Sequence, residues 1–174
     1  FDTYYVLKIG PFYYRGGLRV VFGKNIGDET ICVVGLGYVG LPTAMAFHSV
    51  GFRVIGVDVS DRVVNKLNDG ESPLIDASSM IKIPVGSNRW SVTSKFEKSI
   101  PESDIVLITV PTPVNPDNSP NLEYVKSAAR SVLENVDRNK KSAVVLVSTV
   151  YPGVTRKVLG GLCESLGLNN DVVT

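Results

Sequence analysis

The stretch Gly35-Leu36-Gly37-Tyr38-Val39-Gly40 spaces three glycines as G-x-G-x-x-G, and its surroundings constrain the fold more than any other feature of the chain. Before it, Thr30 to Val34 (TICVV) is a short apolar run rich in β-branched residues, which reads as a strand buried on both faces. After it, Tyr38 to Val50 reads as a helix, with Gly51 suited to its C-terminal cap. Arg53 to Val57 (RVIGV) then predicts a second strand, closed by Asp58. In such a unit the first glycine permits a tight turn. The second lets a pyrophosphate approach the backbone, and the third allows close packing of the helix. The free N–H groups at the helix start and the positive end of its dipole favour phosphate. Asp58 follows Gly35 at the distance where a carboxylate meets the adenosine ribose of a dinucleotide. A carboxylate accepts from both ribose hydroxyls and repels a 2′-phosphate, so Asp58 points to NAD over NADP. Arg62 points the other way if its guanidinium receives a 2′-phosphate, and is otherwise a solvated helix residue.

The alternation continues. Ser60 or Asp61 is placed to cap a helix ending near Asn68-Asp69-Gly70. Residues 71 to 95 are mixed, with a short helix expected near Asp76 to Met80 and a short strand near Ser91 to Thr93. Asp104 to Val110 (DIVLITV) predicts a third strong strand, followed by a Pro/Asn-rich loop from Pro111 to Pro120 that reads equally as a rigid connector or a lid. Asn121 is placed to cap a helix running to Val136. Ser142 to Ser148 predicts another buried strand, Thr149 to Gly153 a loop, and Val154 to Leu166 a last helix, with a further strand beginning near Val172. Strands alternating with helices require crossovers and hence a parallel sheet covered on both faces. The expected fold is therefore α/β, a doubly wound parallel sheet forming a Rossmann-like dinucleotide-binding domain over 30–174. Residues 1 to 29 stand apart as an aromatic-rich lead-in segment, holding Phe1, Tyr4, Tyr5, Phe12, Tyr13, Tyr14 and Phe22.

Composition removes several classes. Eighteen Lys and Arg against seventeen Asp and Glu leave a formal charge of +1, which does not suggest nucleic acid as a partner. No apolar run reaches the roughly 18 residues that a membrane span needs. The chain starts at Phe1 without the apolar core of a secretion signal, and Cys32 and Cys163 show neither metal nor redox spacing. The expectation is a cytoplasmic protein without metal, both cysteines serving as small buried hydrophobes. His48, on a helix beside Met45 and Phe47, reads as packed rather than catalytic.

Three separated motifs carry a resemblance. ICVVGLGYVGLPTA, SDIVLITVPTPV and VSTVYPGVT are similar, in order and spacing, to the UDP-glucose/GDP-mannose dehydrogenase family over residues 30 to 174. Gly40-Leu41-Pro42, Val110-Pro111-Thr112-Pro113 and Ser148-Thr149-Val150-Tyr151-Pro152-Gly153 most resemble the branch acting on UDP-N-acetylhexosamines. The resemblance implies oxidation of the C6 alcohol of a nucleotide sugar to a carboxylate in two NAD-dependent steps, in polysaccharide biosynthesis. It also implies an N-terminal NAD domain, a central helix carrying homodimer contacts and a C-terminal UDP-sugar domain. Residue by residue, it implies cofactor contacts from Gly35, Gly37, Tyr38, Val39 and Gly40, from Asp58, and from the two strand-end loops at Val110, Pro111 and Thr112 and at Ser148 and Thr149. The family's basic residue after the ribose acid falls five positions on, where this chain has Val63; the base here is Arg62. The family's nucleophilic cysteine, catalytic lysine and asparagine, and UDP-binding residues belong after Thr174. The chain thus reads as a detached cofactor domain with no catalytic residue of its own.

Two other readings compete. A 3-hydroxyacid-type NAD(P) dehydrogenase shares the glycine motif but carries an Asn-Arg signal where this chain has Asp58. A non-catalytic NAD-sensing module would need the glycine turn and the acid but not both threonine loops.

Overall fold

A computed structural model describes residues 5–9, 29–74, 82–168 and 170–173, with only the backbone pairing described for the first and last of these segments. The strands are β1 (Tyr5–Ile9), β2 (Thr30–Val34), β3 (Arg53–Val57), β4 (Trp90–Thr93), β5 (Ile105–Ile108), β6 (Ser142–Leu146) and β7 (Asn170–Val173). They form one sheet in the order β4-β3-β2-β5-β6-β1-β7. The five consecutive strands from β4 to β6 are parallel, as the alternation with helices requires. The lead-in segment departs from that pattern: β1 runs antiparallel between β6 and β7.

Each parallel strand sends alternate side chains to opposite faces. On one face Cys32, Val34, Val57, Val106, Ile108, Val144 and Leu146 pack under α4 (Glu123–Glu134) and α5 (Gly161–Ser165). On the other, Ile31, Val33, Val54, Val92 and Leu107 pack under α1 (Gly40–Ser49) and α2 (Asp61–Asn68). This double burial is why the strands are continuous β-branched runs rather than alternating ones. α1 ends where Gly51 takes a left-handed φ of 103° and its N–H reaches the His48 carbonyl at 3.0 Å.

Several local expectations change. The helix α3 (Phe96–Glu102) was not expected, because Pro101 lies inside it and its apolar spacing is sparse. Ser60 precedes α2 but makes no side-chain cap; its backbone N–H instead donates to Asp58 Oδ1 at 2.9 Å. Helical backbone starts at Val154 as expected, but Arg156–Gly160 forms a π-helical turn before α5. The helix expected at Asp76 to Met80 lies outside the described residues. No described helix is long and apolar enough to cross a membrane.

The register decides where function can sit. Val57, Val34, Ile108 and Leu146 are aligned across β3, β2, β5 and β6. The residues that follow them therefore emerge side by side along the carboxyl edge of the sheet, where ligands bind in this fold.

Candidate functional site

The carboxyl edge is tied together beyond the strands. Gly35 N–H donates to Val57 O at 2.8 Å, Thr109 N–H to Val34 O at 2.9 Å, and Val147 N–H to Ile108 O at 2.9 Å. Gly35, with φ of 92°, turns the chain sharply away from the sheet. Leu36 is buried, and its side chain fills space that a Cβ on Gly56 would occupy, so the turn is anchored into β3. The chain then enters α1 with the N–H groups of Gly37, Tyr38 and Val39 making no hydrogen bond among the described residues. Tyr38 and Val39 are exposed.

The three glycines serve different purposes. A Cβ on Gly40 would collide with the Gly35 carbonyl and crowd the Thr109 hydroxyl, so Gly40 is required by packing. A Cβ on Gly37 would meet nothing within 4 Å. The space above Gly37 is open, which suits the close approach of a ligand to backbone.

Asp58 holds two neighbours: Oδ2 accepts from Leu36 N–H at 2.8 Å, and Oδ1 from Ser60 N–H at 2.9 Å. A carboxylate has about four acceptor positions, so roughly two remain for hydroxyls of a ligand. On the far side of the turn, Thr109 Oγ1 lies 2.8 Å from the Gly35 carbonyl and 2.9 Å from the Val34 carbonyl. Neither the amide contacts of Asp58 nor the role of Thr109 was read from the sequence. The only signal there was Thr109's place at the end of a predicted strand.

A groove of about 640 Å³ runs along this edge. Gly35, Gly37, Tyr38, Val39, Asp58, Val110, Pro111, Thr112, Ser148 and Thr149 all line it, so the structure brings ten of the twelve expected site residues together. Gly40 sits behind the turn, and Arg62 is exposed on α2 outside the lining. Phe96 from α3 and Tyr124, Ser127 and Ala128 from α4 complete the walls. Ser148 Oγ donates to the Val110 carbonyl at 2.7 Å, linking the two strand-end loops. A larger cavity of about 740 Å³ lies between α4 and α5, away from the glycine turn. It shares Ser127 with the groove but includes none of the glycine turn, Asp58, Thr112 or Thr149, so the smaller groove is the candidate site.

The loop after Val110 holds itself. Asn115 N–H donates to Ser119 O at 2.8 Å and Asn121 N–H to Pro113 O at 2.7 Å. The Ser119 hydroxyl donates to Asp117 Oδ1 at 2.6 Å and holds that carboxyl below its usual range. These bonds favour a rigid connector over a lid. Asn121 Oδ1 accepts from Glu123 N–H at 3.0 Å, but the residue at the cap position of α4 is Leu122, so Asn121 braces the first helical amide from one residue further out than expected.

The remaining candidates are structural. Cys32 and Cys163 are fully buried, and burial pushes the Cys32 thiol up to about 12, with the Ser103 hydroxyl opposing. His48 Nε2 lies 3.0 Å from Ser87 Oγ, its ring edge-on to Trp90. Among the described residues no cluster of three acidic, histidine or cysteine side chains could hold a metal.

Residues 29–173 match the model of the UDP-glucose/GDP-mannose dehydrogenase family, NAD binding domain. The chain is 42% identical over 140 residues to the UDP-N-acetyl-D-mannosamine dehydrogenase of Escherichia coli K12, covering 78% of this chain and 31% of that protein. Among solved structures, the UDP-D-ManNAc dehydrogenase of Pyrococcus horikoshii superposes with a TM-score of 0.69 at 34% identity, over 82% of this chain and 34% of that one. The UDP-glucose dehydrogenase of Pyrobaculum islandicum gives 0.69 at 32% identity, over 86% and 34%. The chain thus spans about a third of the length of the curated relatives it matches. With three motifs falling on one sheet edge and the match running through the whole parallel sheet, the chain belongs to the UDP-glucose/GDP-mannose dehydrogenase family and carries its NAD-binding domain.

Proposed function

We propose that NAD binds along the carboxyl edge, with its pyrophosphate over Gly37 and its adenosine ribose on Asp58. The observation that carries this reading is that the Gly37, Tyr38 and Val39 amides, which make no hydrogen bond among the described residues, stand beside a carboxylate that retains acceptor positions. The open space above Gly37 fits a phosphate, and the fixed negative charge of Asp58 disfavours the 2′-phosphate of NADP. Arg62, lying outside the groove lining, offers that phosphate no placed partner.

Bound there, NAD supplies a hydride acceptor. The chain's own residues bind and orient it. The turn and Asp58 hold the adenosine half, while the loops carrying Val110, Pro111 and Thr112 and Ser148 and Thr149 shape the other end of the groove. The Ser148–Val110 hydrogen bond fixes those two loops relative to one another.

In the same reading the whole protein is a nucleotide-sugar 6-dehydrogenase. It oxidises the C6 alcohol of a UDP-N-acetylhexosamine to a carboxylate with two NAD, as a cytoplasmic homodimer serving polysaccharide biosynthesis. Residues 1–29 are a lead-in and 30–174 the cofactor domain. The branch assignment rests on the motif resemblance and on relatives named for UDP-N-acetyl-D-mannosamine. Titration calorimetry of this chain with NAD and NADP tests the cofactor reading: NAD binds and NADP binds more weakly. Equal affinity, or no heat with either, rejects it.

A further inference from the structure

We propose that Thr109 is a positioning residue for the cofactor, acting through a single peptide plane of the glycine turn; this rests on the reading of the groove as the NAD site. The Gly35 carbonyl faces the Thr109 hydroxyl at 2.8 Å, and the Leu36 N–H faces Asp58 Oδ2 at 2.8 Å. These two groups belong to one peptide unit, which is rigid and planar. The plane is therefore held from both sides, by a donor from the end of β5 and an acceptor from the end of β3.

The hydroxyl has one proton and two carbonyls within reach. Val34 O already accepts from the Thr109 backbone N–H at 2.9 Å, so the hydroxyl proton best serves the Gly35 carbonyl. That carbonyl needs an assigned donor, because Gly35 has the freedom to let its following peptide rotate. Rotation would turn a carbonyl toward the Asp58 carboxylate and an N–H toward a hydroxyl. It would also re-aim the amides of Gly37, Tyr38 and Val39 that follow. The clamp opposes this with matched polarity on each side.

Thr109 lines the groove from its base, against the packed turn. Thr109 is 7% exposed, and α1 approaches so closely at Gly40 that no Cβ fits between it and the Gly35 carbonyl. Removing the hydroxyl leaves that carbonyl without its partner.

The test compares Thr109→Val, which keeps the shape and removes the hydroxyl, with Thr109→Ser, which keeps the hydroxyl. Affinities for NAD, ADP-ribose and adenosine are measured by NMR titration, together with hydrogen exchange at the Leu36 amide. Thr109→Val weakens NAD and ADP-ribose about threefold to tenfold, the effect of one neutral hydrogen bond, and leaves adenosine within about twofold. The Leu36 amide exchanges faster, and Thr109→Ser restores both readouts. If Thr109→Val fails to fold, Thr109→Ala carries the same comparison. Unchanged NAD affinity in the valine variant, equal loss for adenosine, or no recovery with serine overturns the positioning role. Failure of the unmodified chain to bind NAD overturns the cofactor reading itself, and the positioning role with it.

Discussion

Lys140 Nζ lies 3.3 Å from Asp104 Oδ1 at the amino end of the sheet, opposite the groove. Asp104 is buried, and its other oxygen accepts the Thr30 N–H at 2.8 Å, tying the start of β2 to the residue before β5. Asp104 is thus a structural acid rather than a catalytic one. Asp104→Ala leaves a buried N–H unpaired and removes the carboxylate beside Lys140, whose Nζ keeps the Glu102 carbonyl at 2.8 Å. The expected cost is about 2–4 kcal/mol, reduced from that of a fully buried pair because Lys140 is partly exposed. Thermal unfolding should show a melting temperature lower by roughly 5–15 °C, while NAD affinity of the folded fraction stays unchanged. A variant as stable as the parent would remove Asp104 from the framework.

Asp58 lies at the other end of the same sheet, where it holds the Leu36 and Ser60 amides and keeps acceptor positions for a ligand. Replacing a charged acceptor costs about 1.5–3 kcal/mol, so Asp58→Ala should weaken NAD roughly 10- to 100-fold. The discrimination against NADP should narrow at the same time, since the repelling charge is gone. Calorimetry of both cofactors measures this, and unchanged affinities for the two would take Asp58 out of the site.

Gly37 and Gly40 separate binding from folding. Gly37→Val places its side chain into open space, so the domain folds but the pyrophosphate is excluded. Gly40→Ala collides with the Gly35 carbonyl and damages the turn itself. Circular dichroism and NAD titration on the pair should show native stability without binding for the first, and lost stability for the second. NAD binding by Gly37→Val at parental affinity would mean that phosphate does not approach this turn.

Cys32 should be silent until the chain unfolds or the solution is strongly alkaline. Burial raises its thiol from 9.0 to about 12, so the folded state keeps the proton to a higher pH than the unfolded state. Its contribution to stability is complete below 9.0 and is lost as pH rises from there toward about 12. Urea midpoints should fall less steeply above pH 9 in Cys32→Ala than in the parent. With Cys163 also buried, the chain presents no accessible thiolate for covalent catalysis. NADH absorbance with UDP-N-acetylmannosamine, UDP-N-acetylglucosamine or UDP-glucose should stay at background for residues 1–174. Turnover that survives replacement of both cysteines by serine would show the catalytic assignment to be wrong.

The glycine turn, its flanking strands and Asp58 were legible in sequence because their signals are local. β-Branched runs, glycine spacing and an acid closing the next strand each constrain backbone within a few residues. From the same signals came the parallel sheet, since alternating strands and helices admit few topologies. The Thr112 and Thr149 loops came from the family resemblance, and the parallel topology agrees with it because strand ends in such a sheet share one edge. What the tertiary structure alone decided depends on residues far apart in the chain. The hydroxyl of Thr109 meets Gly35 across 74 positions, and Asp58 meets the Leu36 amide across 22. The antiparallel entry of β1, the burial of Asp104 and the exclusion of Arg62 from the groove have the same origin. Sequence periodicity reports which face a side chain takes; only the packed sheet reports which distant donor stands opposite which acceptor, because hydrogen bonds depend on distances of a few tenths of an ångström.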